Sequence, residues 1–157
     1  MPATISEQSV KTLEVVREQN IAAPLEIVWE CILEQMGPLN ENPDGAPLPM
    51  VIEPWPGGRW FRDLGNNTGH FWGVVQSIKP PSLLEIHGPL FMSAPVVSHV
   101  LYRLSSENGI TQVKFSHRAL GQIDPRLLDG VQVNRGWGSL LARIARVSEM
   151  KSQEKRS

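Results

Sequence analysis

Hydrophobic positions change period several times along the chain, and each change marks an element. Between Val10 and Ile21 the side chains of Leu13, Val15, Arg17, Gln19 and Ile21 share one face at period two, which predicts a strand. Arg17 and Gln19 are long and polar, so that face is not expected to be wholly dry. Pro24 then opens a helix, because a proline in the first turn forfeits no hydrogen bond. Ile27, Val28, Cys31, Ile32 and Gln35-Met36 follow at helical spacing, with Trp29 beside the stripe, and Gly37-Pro38 stops the run. Residues 37–49 are rich in Pro, Gly and Asn and predict a loop.

Four strand candidates come next: Met50–Trp55, Arg59–Leu64, His70–Ile78 and Leu83–His87. Turn-forming clusters separate them, including Pro56-Gly57-Gly58 and Gly65-Asn66-Asn67-Thr68-Gly69. Short strands at this spacing predict an antiparallel meander. Residues 88–95 form an apolar loop, and Val96–Ser105 and Ile110–Ala119 are the last two strands. Beyond them Asp124 can cap a helix with Pro125 in its first turn, running to about Met150. Its apolar side carries Leu127, Val131, Val133, Trp137, Leu140, Leu141, Ile144 and Val147. Gly130, Gly136 and Gly138 each weaken a helix by about 1 kcal/mol relative to alanine, so packing must compensate. Gly130, Asn134 and Gly138 lie four apart and make one small face. Either something large packs against it or a space lies beside it.

A sheet with one apolar face must cover it, and the long helix is the only element large enough. The expected fold is α+β: a curved antiparallel β-sheet wrapped around a long C-terminal helix, with a short helix after the first strand. A single domain over residues 10–150 is expected, with flexible termini at 1–9 and 151–157.

The Asn108-Gly109 pair decides how the last two strands face. Asn-Gly is the strongest short hairpin signal, because both turn positions take positive φ. A two-residue loop there sets Glu107 opposite Ile110, and then Leu104 opposite Val113, Tyr102 opposite Phe115 and Val100 opposite His117. Opposed residues share a face. This set is apolar and faces the core. Arg103 with Lys114, Leu101 with Ser116 and His99 with Arg118 make the outer face. A one-residue slip would bury Lys114 and expose Phe115. His117 therefore points inward and His99 outward, and they cannot share a metal ion.

Composition narrows the function classes. Of 157 residues, 15 are Lys or Arg and 16 are Asp or Glu, for a formal net charge of -1. That balance lacks the basic stripe of a nucleic-acid binder. No apolar run is long enough to span a membrane. The first twenty residues lack a basic start and an apolar middle, so a cytoplasmic location is expected. A lone cysteine, Cys31, makes neither an internal disulfide nor a Cys-rich zinc site, and packing is its expected role. The motifs G-x-S-x-G, H-E-x-x-H and G-x-x-x-x-G-K are absent, so no cofactor, metal or catalytic residue is assigned. A homodimer is compatible with the pattern.

Five tryptophans stand beside four phenylalanines and one tyrosine. Trp55, Trp60 and Trp72 fall on the meander and Trp137 on the helix. They make either a Trp-rich core or an aromatic-lined cavity. His117 is read as a core histidine bonded to tyrosine, backbone or water, as a polar anchor in a pocket, or as a general base.

The ordered segments IAAPLEIVWECI, PWPGGRW, GHFWGVVQSIKPPSLLEI, YRLSSENGITQVKFSHRAL and GWGSLLARI resemble the SRPBCC (START/Bet v-like) superfamily. The nearest branch holds homologues of the activator of heat-shock protein 90 ATPase. The likeness runs over roughly residues 12–147. It implies the helix-grip fold, with a deep cavity between the sheet and the C-terminal helix. Members bind lipids, hormones or polyketides, a few catalyse cyclisation or aromatisation, and one eukaryotic group activates a chaperone ATPase. The superfamily has no universal catalytic residues to carry over.

The leading expectation is a non-catalytic binding module for a small hydrophobic or aromatic molecule. Its candidate wall is Trp60, Trp72, Phe91, Tyr102, Phe115, His117, Asn134, Trp137 and Leu141. Of these, Tyr102, His117 and Asn134 would orient the ligand, and Phe91 would ride on a lid formed by residues 88–95. One alternative is a cyclase- or dehydratase-like enzyme using His117 with Tyr102. Another is a co-chaperone-like interaction partner docking through an apolar patch such as Leu90-Phe91-Met92.

Overall fold

The computed structural model describes residues 3–5, 9–128 and 131–156 of the 157. The chain forms β1 (Lys11–Ile21), α1 (Leu25–Met36), β2 (Val51–Ile52), β3 (Arg59–Gly65), β4 (Thr68–Lys79), β5 (Leu83–Gly88), β6 (Val96–Glu107), β7 (Ile110–Gly121), α2 (Pro125–Leu128) and α3 (Val131–Arg156). All seven strands join one antiparallel sheet in the order β1-β7-β6-β5-β4-β3-β2. This is an α+β helix-grip arrangement: a curved sheet, a long C-terminal helix and a short helix after the first strand. The first two strands lie at opposite edges, so α1 and the loop after it must cross the sheet between them. The helix α3 packs against α1 and β1. No described helix is long and apolar enough to cross a membrane.

The β6–β7 register follows from its turn. Asn108 and Gly109 have φ of 53 and 78, and Glu107 pairs with Ile110. Tyr102 then opposes Phe115, Val100 opposes His117, and His99 opposes Arg118. His117 is fully buried, whereas His99 lies on the outer face beside Glu85.

Several elements differ from their sequence patterns, each for a local reason. Pro24 sits at the N-cap of α1 rather than inside the first turn, and its carbonyl accepts from the Val28 N–H at 3.1 Å. The strand expected over Met50–Trp55 shrinks to Val51–Ile52. Pro54 and Pro56 have no N–H to extend the ladder, and the Glu53 carboxylate is drawn to the Arg59 N–H at 2.8 Å. At the other end α3 continues past Met150 to Arg156 instead of fraying. There Lys151 Nζ reaches both Glu34 carboxylate oxygens, at 2.9 and 2.8 Å, and Ser152 is buried. The expected small face on α3 is also resolved in part. Gly130 and the Val131 side chain lie outside the described residues, as does most of the expected loose start over 1–9. Gly138 is covered by Arg17 of β1: a Cβ there would stand 2.7 Å from Arg17 Nη2. Something large does pack on that face, and it is a guanidinium.

Glycine also shapes the sheet where β4 meets β5. A Cβ on Gly73 would stand 2.8 Å from both the His87 carbonyl oxygen and Ile86 Cγ2. Gly88, with φ of 155, would drive a Cβ into the Trp72 carbonyl. That close approach lets the chain after β5 fold back over β4, where the Leu90 N–H donates to the Trp72 carbonyl at 2.8 Å. Phe91 is thereby delivered to Trp72, ring centroids 5.8 Å apart. Replacing Gly88 with alanine is expected to lower unfolding stability by about 1–3 kcal/mol in urea titrations, the usual cost of forcing atoms into a packed interior. A variant as stable as the parent would mean that β4 and β5 can separate there without loss.

Candidate functional site

Above β3 and β4, under the first turns of α3, the packing leaves a cavity of about 290 Å³. That is the lower end of the roughly 300–1,000 Å³ usual for small-molecule sites. Trp60 and Trp72 rise from the sheet, Phe91 comes from the loop after β5, and Trp137 descends from α3. Leu48, Leu127, Val133 and Leu140 add aliphatic surface. The polar lining comes from Asn40, Glu41 and Asn42 of the α1–β2 loop and from Gln132. Gly136 faces the space, with only Pro43 Cγ near it, 3.6 Å from where a Cβ would be.

The aromatic wall presents almost no polarity to the cavity, because each indole N–H is already bonded within the protein. Trp60 Nε1 donates to the Met36 carbonyl at 2.8 Å, closing the C-terminal end of α1. Trp72 Nε1 donates to His70 Nδ1 at 3.1 Å, and Trp137 Nε1 donates to His117 Nδ1 at 2.9 Å. Behind the wall the rings continue into the core. Phe115 stacks at 4.6 Å on Trp137, Tyr102 follows at 5.0 Å, and His117 stands between Phe91 and Trp137.

The nine wall candidates therefore divide. Trp60, Trp72, Phe91 and Trp137 border the cavity. Tyr102, Phe115, His117 and Leu141 are buried behind it. Asn134 faces away, exposed, and accepts from Arg17 Nε at 2.9 Å. Helical geometry accounts for this. Positions 133, 136, 137 and 140 share one stripe of α3, while 134 and 138 turn toward β1. The loop residues 40–43 and 48 were missed because no local periodicity marks them. The α3 stripe carried a usable signal, since Val133 and Leu140 lie at spacings of four and three from Trp137.

His117 and Tyr102, the pair that an acid–base role would use, are not hydrogen-bonded to each other. An indole N–H only donates, so His117 Nδ1 must carry a lone pair. The proton sits on Nε2, which meets Ser98 Oγ at 3.0 Å. Both ring nitrogens are engaged, and neither partner is Tyr102. Burial pushes the imidazole pKa down from 6.5 to about 4, so the ring stays neutral. The Tyr102 hydroxyl has no hydrogen-bond partner among the described residues, and burial pushes its pKa up. No group of three or more His, Cys, Asp or Glu placed to hold a metal occurs among the described residues.

No family model matches the chain, and no curated protein matches it. Solved structures do. CV1439 from Chromobacterium violaceum is 15% identical with a TM-score of 0.67, over 87% of this chain and 96% of that one. CalU16 from Micromonospora echinospora is 20% identical with a TM-score of 0.57, over 95% of this chain and 94% of that one. DynU16, from the dynemicin biosynthetic locus, is 16% identical with a TM-score of 0.65, over 88% of this chain and 48% of that one. At these identities the likeness is one of fold.

The neutral imidazole has a pH signature. Between pH 6.5 and about 4 the unfolded chain binds a proton at His117 and the folded chain does not, so stability falls as pH falls through that window. The full depression corresponds to about 3 kcal/mol. His117→Gln retains an acceptor and a donor but does not titrate. Its stability deficit relative to the parent is expected to shrink by about 3 kcal/mol between pH 7 and pH 4 in urea melts. A constant deficit would rule out a buried neutral ring.

Proposed function

We propose that the chain is a single SRPBCC-type domain that binds a small hydrophobic or aromatic molecule between its sheet and α3. The observation that carries this reading is the cavity wall itself. Four aromatic rings border a space of about 290 Å³, and the N–H groups of the three indoles are all bonded to the protein. Such a wall offers ring faces and edges and rewards removal of apolar surface from water at about 25 cal/mol per Å². Trp72 and Phe91 are only partly buried in the core they border, so a ligand would complete their burial. Exposed Pro43 and Gln132 set the rim. The place of DynU16 in a biosynthetic locus is compatible with a fold that holds small organic molecules.

Naphthalene-2-methanol, neutral and two rings wide, suits this volume. Calorimetric titration is expected to show saturable binding, and the melting temperature is expected to rise with ligand concentration. Gly136→Phe should abolish binding by filling the space from α3. It should leave stability equal or higher, because a helix interior prefers phenylalanine to glycine by a few tenths of a kcal/mol. Absence of saturable binding in the parent, or undiminished binding in a folded Gly136→Phe variant, would defeat the proposal.

A further inference from the structure

Arg143 does not itself line the cavity but is paired with Glu41, which does. It lies one helical turn beyond Leu140, on the stripe of α3 that faces the ligand space, and its side chain is only 7% exposed. Its Nε donates to Gln35 Oε1 at 3.3 Å and its Nη1 to Ser139 Oγ at 3.3 Å. Its Nη2 has no partner among the described residues. The facing carboxylate is a poor match: Glu41 Oε2 stands 3.8 Å from Nε, beyond hydrogen-bond reach. A buried guanidinium is normally held by a bidentate carboxylate. Here two long bonds to neutral oxygens and one loose ion pair serve instead.

The Tyr102 hydroxyl is the second unmatched group. It is fully buried and without a hydrogen-bond partner among the described residues, and the charge on Arg143 opposes the rise that burial imposes on its pKa. A guanidinium N–H can only donate, and a phenol has a proton to donate, so the group that satisfies both is an acceptor-rich one. Glu41 belongs at once to the cavity wall and to the ion pair with Arg143. One side-chain rotation of Glu41, which is 35% exposed and sits in a loop, would open the guanidinium to the ligand space.

We propose that Arg143, backed by the Tyr102 hydroxyl, anchors the carboxylate of the molecule bound in the cavity, with Glu41 as the displaceable counter-ion. The ligand class is then an aromatic or aliphatic carboxylic acid: an apolar body against the tryptophans and an acidic head against α3. The inference rests on the cavity being a binding site.

Paired titrations with 2-naphthoic acid and naphthalene-2-methanol, followed by calorimetry near neutral pH, separate the two readings. The rings are the same and only the head differs. The parent protein is expected to bind the acid about tenfold or more tightly than the alcohol, the scale of a charge-assisted hydrogen bond. Glu41→Gln removes the competing carboxylate and should raise the ratio of acid to alcohol affinity severalfold. Arg143→Met should bring the acid down to the affinity of the alcohol. If Arg143→Met does not fold, the Glu41→Gln contrast decides. Alcohol binding without preference for the acid overturns the anchor and leaves the cavity reading standing. A preference for the acid that Glu41→Gln leaves unchanged also overturns the anchor. Binding of neither probe overturns both.

Discussion

The arrangement depends on one hydrogen bond, from Trp137 Nε1 on α3 to His117 Nδ1 on β7. It crosses from the long helix to the sheet inside an apolar core, where a polar contact is geometrically demanding and costly to lose. It sets the rotation of α3 about its axis, and with it which stripe faces the cavity. It also fixes the imidazole tautomer, which passes its remaining proton toward Ser98 on β6. Trp137 is thereby held against His117 and Phe115, and its outer surface becomes wall. The other tryptophans repeat the device on a smaller scale, Trp60 against the end of α1 and Trp72 against its strand neighbour His70. The result is a hollow whose aromatic lining is stiff and chemically quiet.

Much of this was legible in the sequence where the signal is local. Asn108-Gly109 set the register of the last hairpin, and with it the inward direction of His117, because a two-residue turn leaves a single alignment. Alternation along β1 marked Leu13, Val15 and Ile21 as core and Arg17 and Gln19 as intruders on the same face. Of the nine wall candidates, four border the space: Trp60, Trp72, Phe91 and Trp137. The remainder depended on contacts between distant segments. Nothing near Asn134 says that Arg17, more than a hundred residues away, will claim it. Nor does the composition of residues 37–49 say that their loop will fold over α3. The helix offered two stripes containing glycine, and choosing between them requires the Trp137–His117 bond, which pattern alone does not show. His117 was placed correctly as an inward residue, but its partners are Trp137 and Ser98 rather than Tyr102.

The polar groups around the hollow are distributed unevenly. Asn40, Glu41, Asn42 and Gln132 stand along the loop and the mouth of the space, whereas the sheet side is uniformly apolar. Directional recognition therefore rests mainly on the helix and the loop, and the sheet mainly supplies shape. This division suits a scaffold in which one side is held by strand pairing and the other is free to vary by loop sequence. It also explains why the histidine of the last hairpin, inward as it is, contributes through packing behind the wall.

The position of β1 has a consequence for how the molecule is made. Among the described residues its only sheet neighbour is β7, and Ile21 meets Thr111 across that seam. As the chain leaves the ribosome, β1 and α1 emerge with half-apolar faces and no partner for either. The β6–β7 hairpin, closed by its own short turn, supplies the edge on which β1 pairs. Sheet closure then waits on the latest-synthesised strand, a high-contact-order step of the kind that slows folding and lengthens exposure of sticky surface.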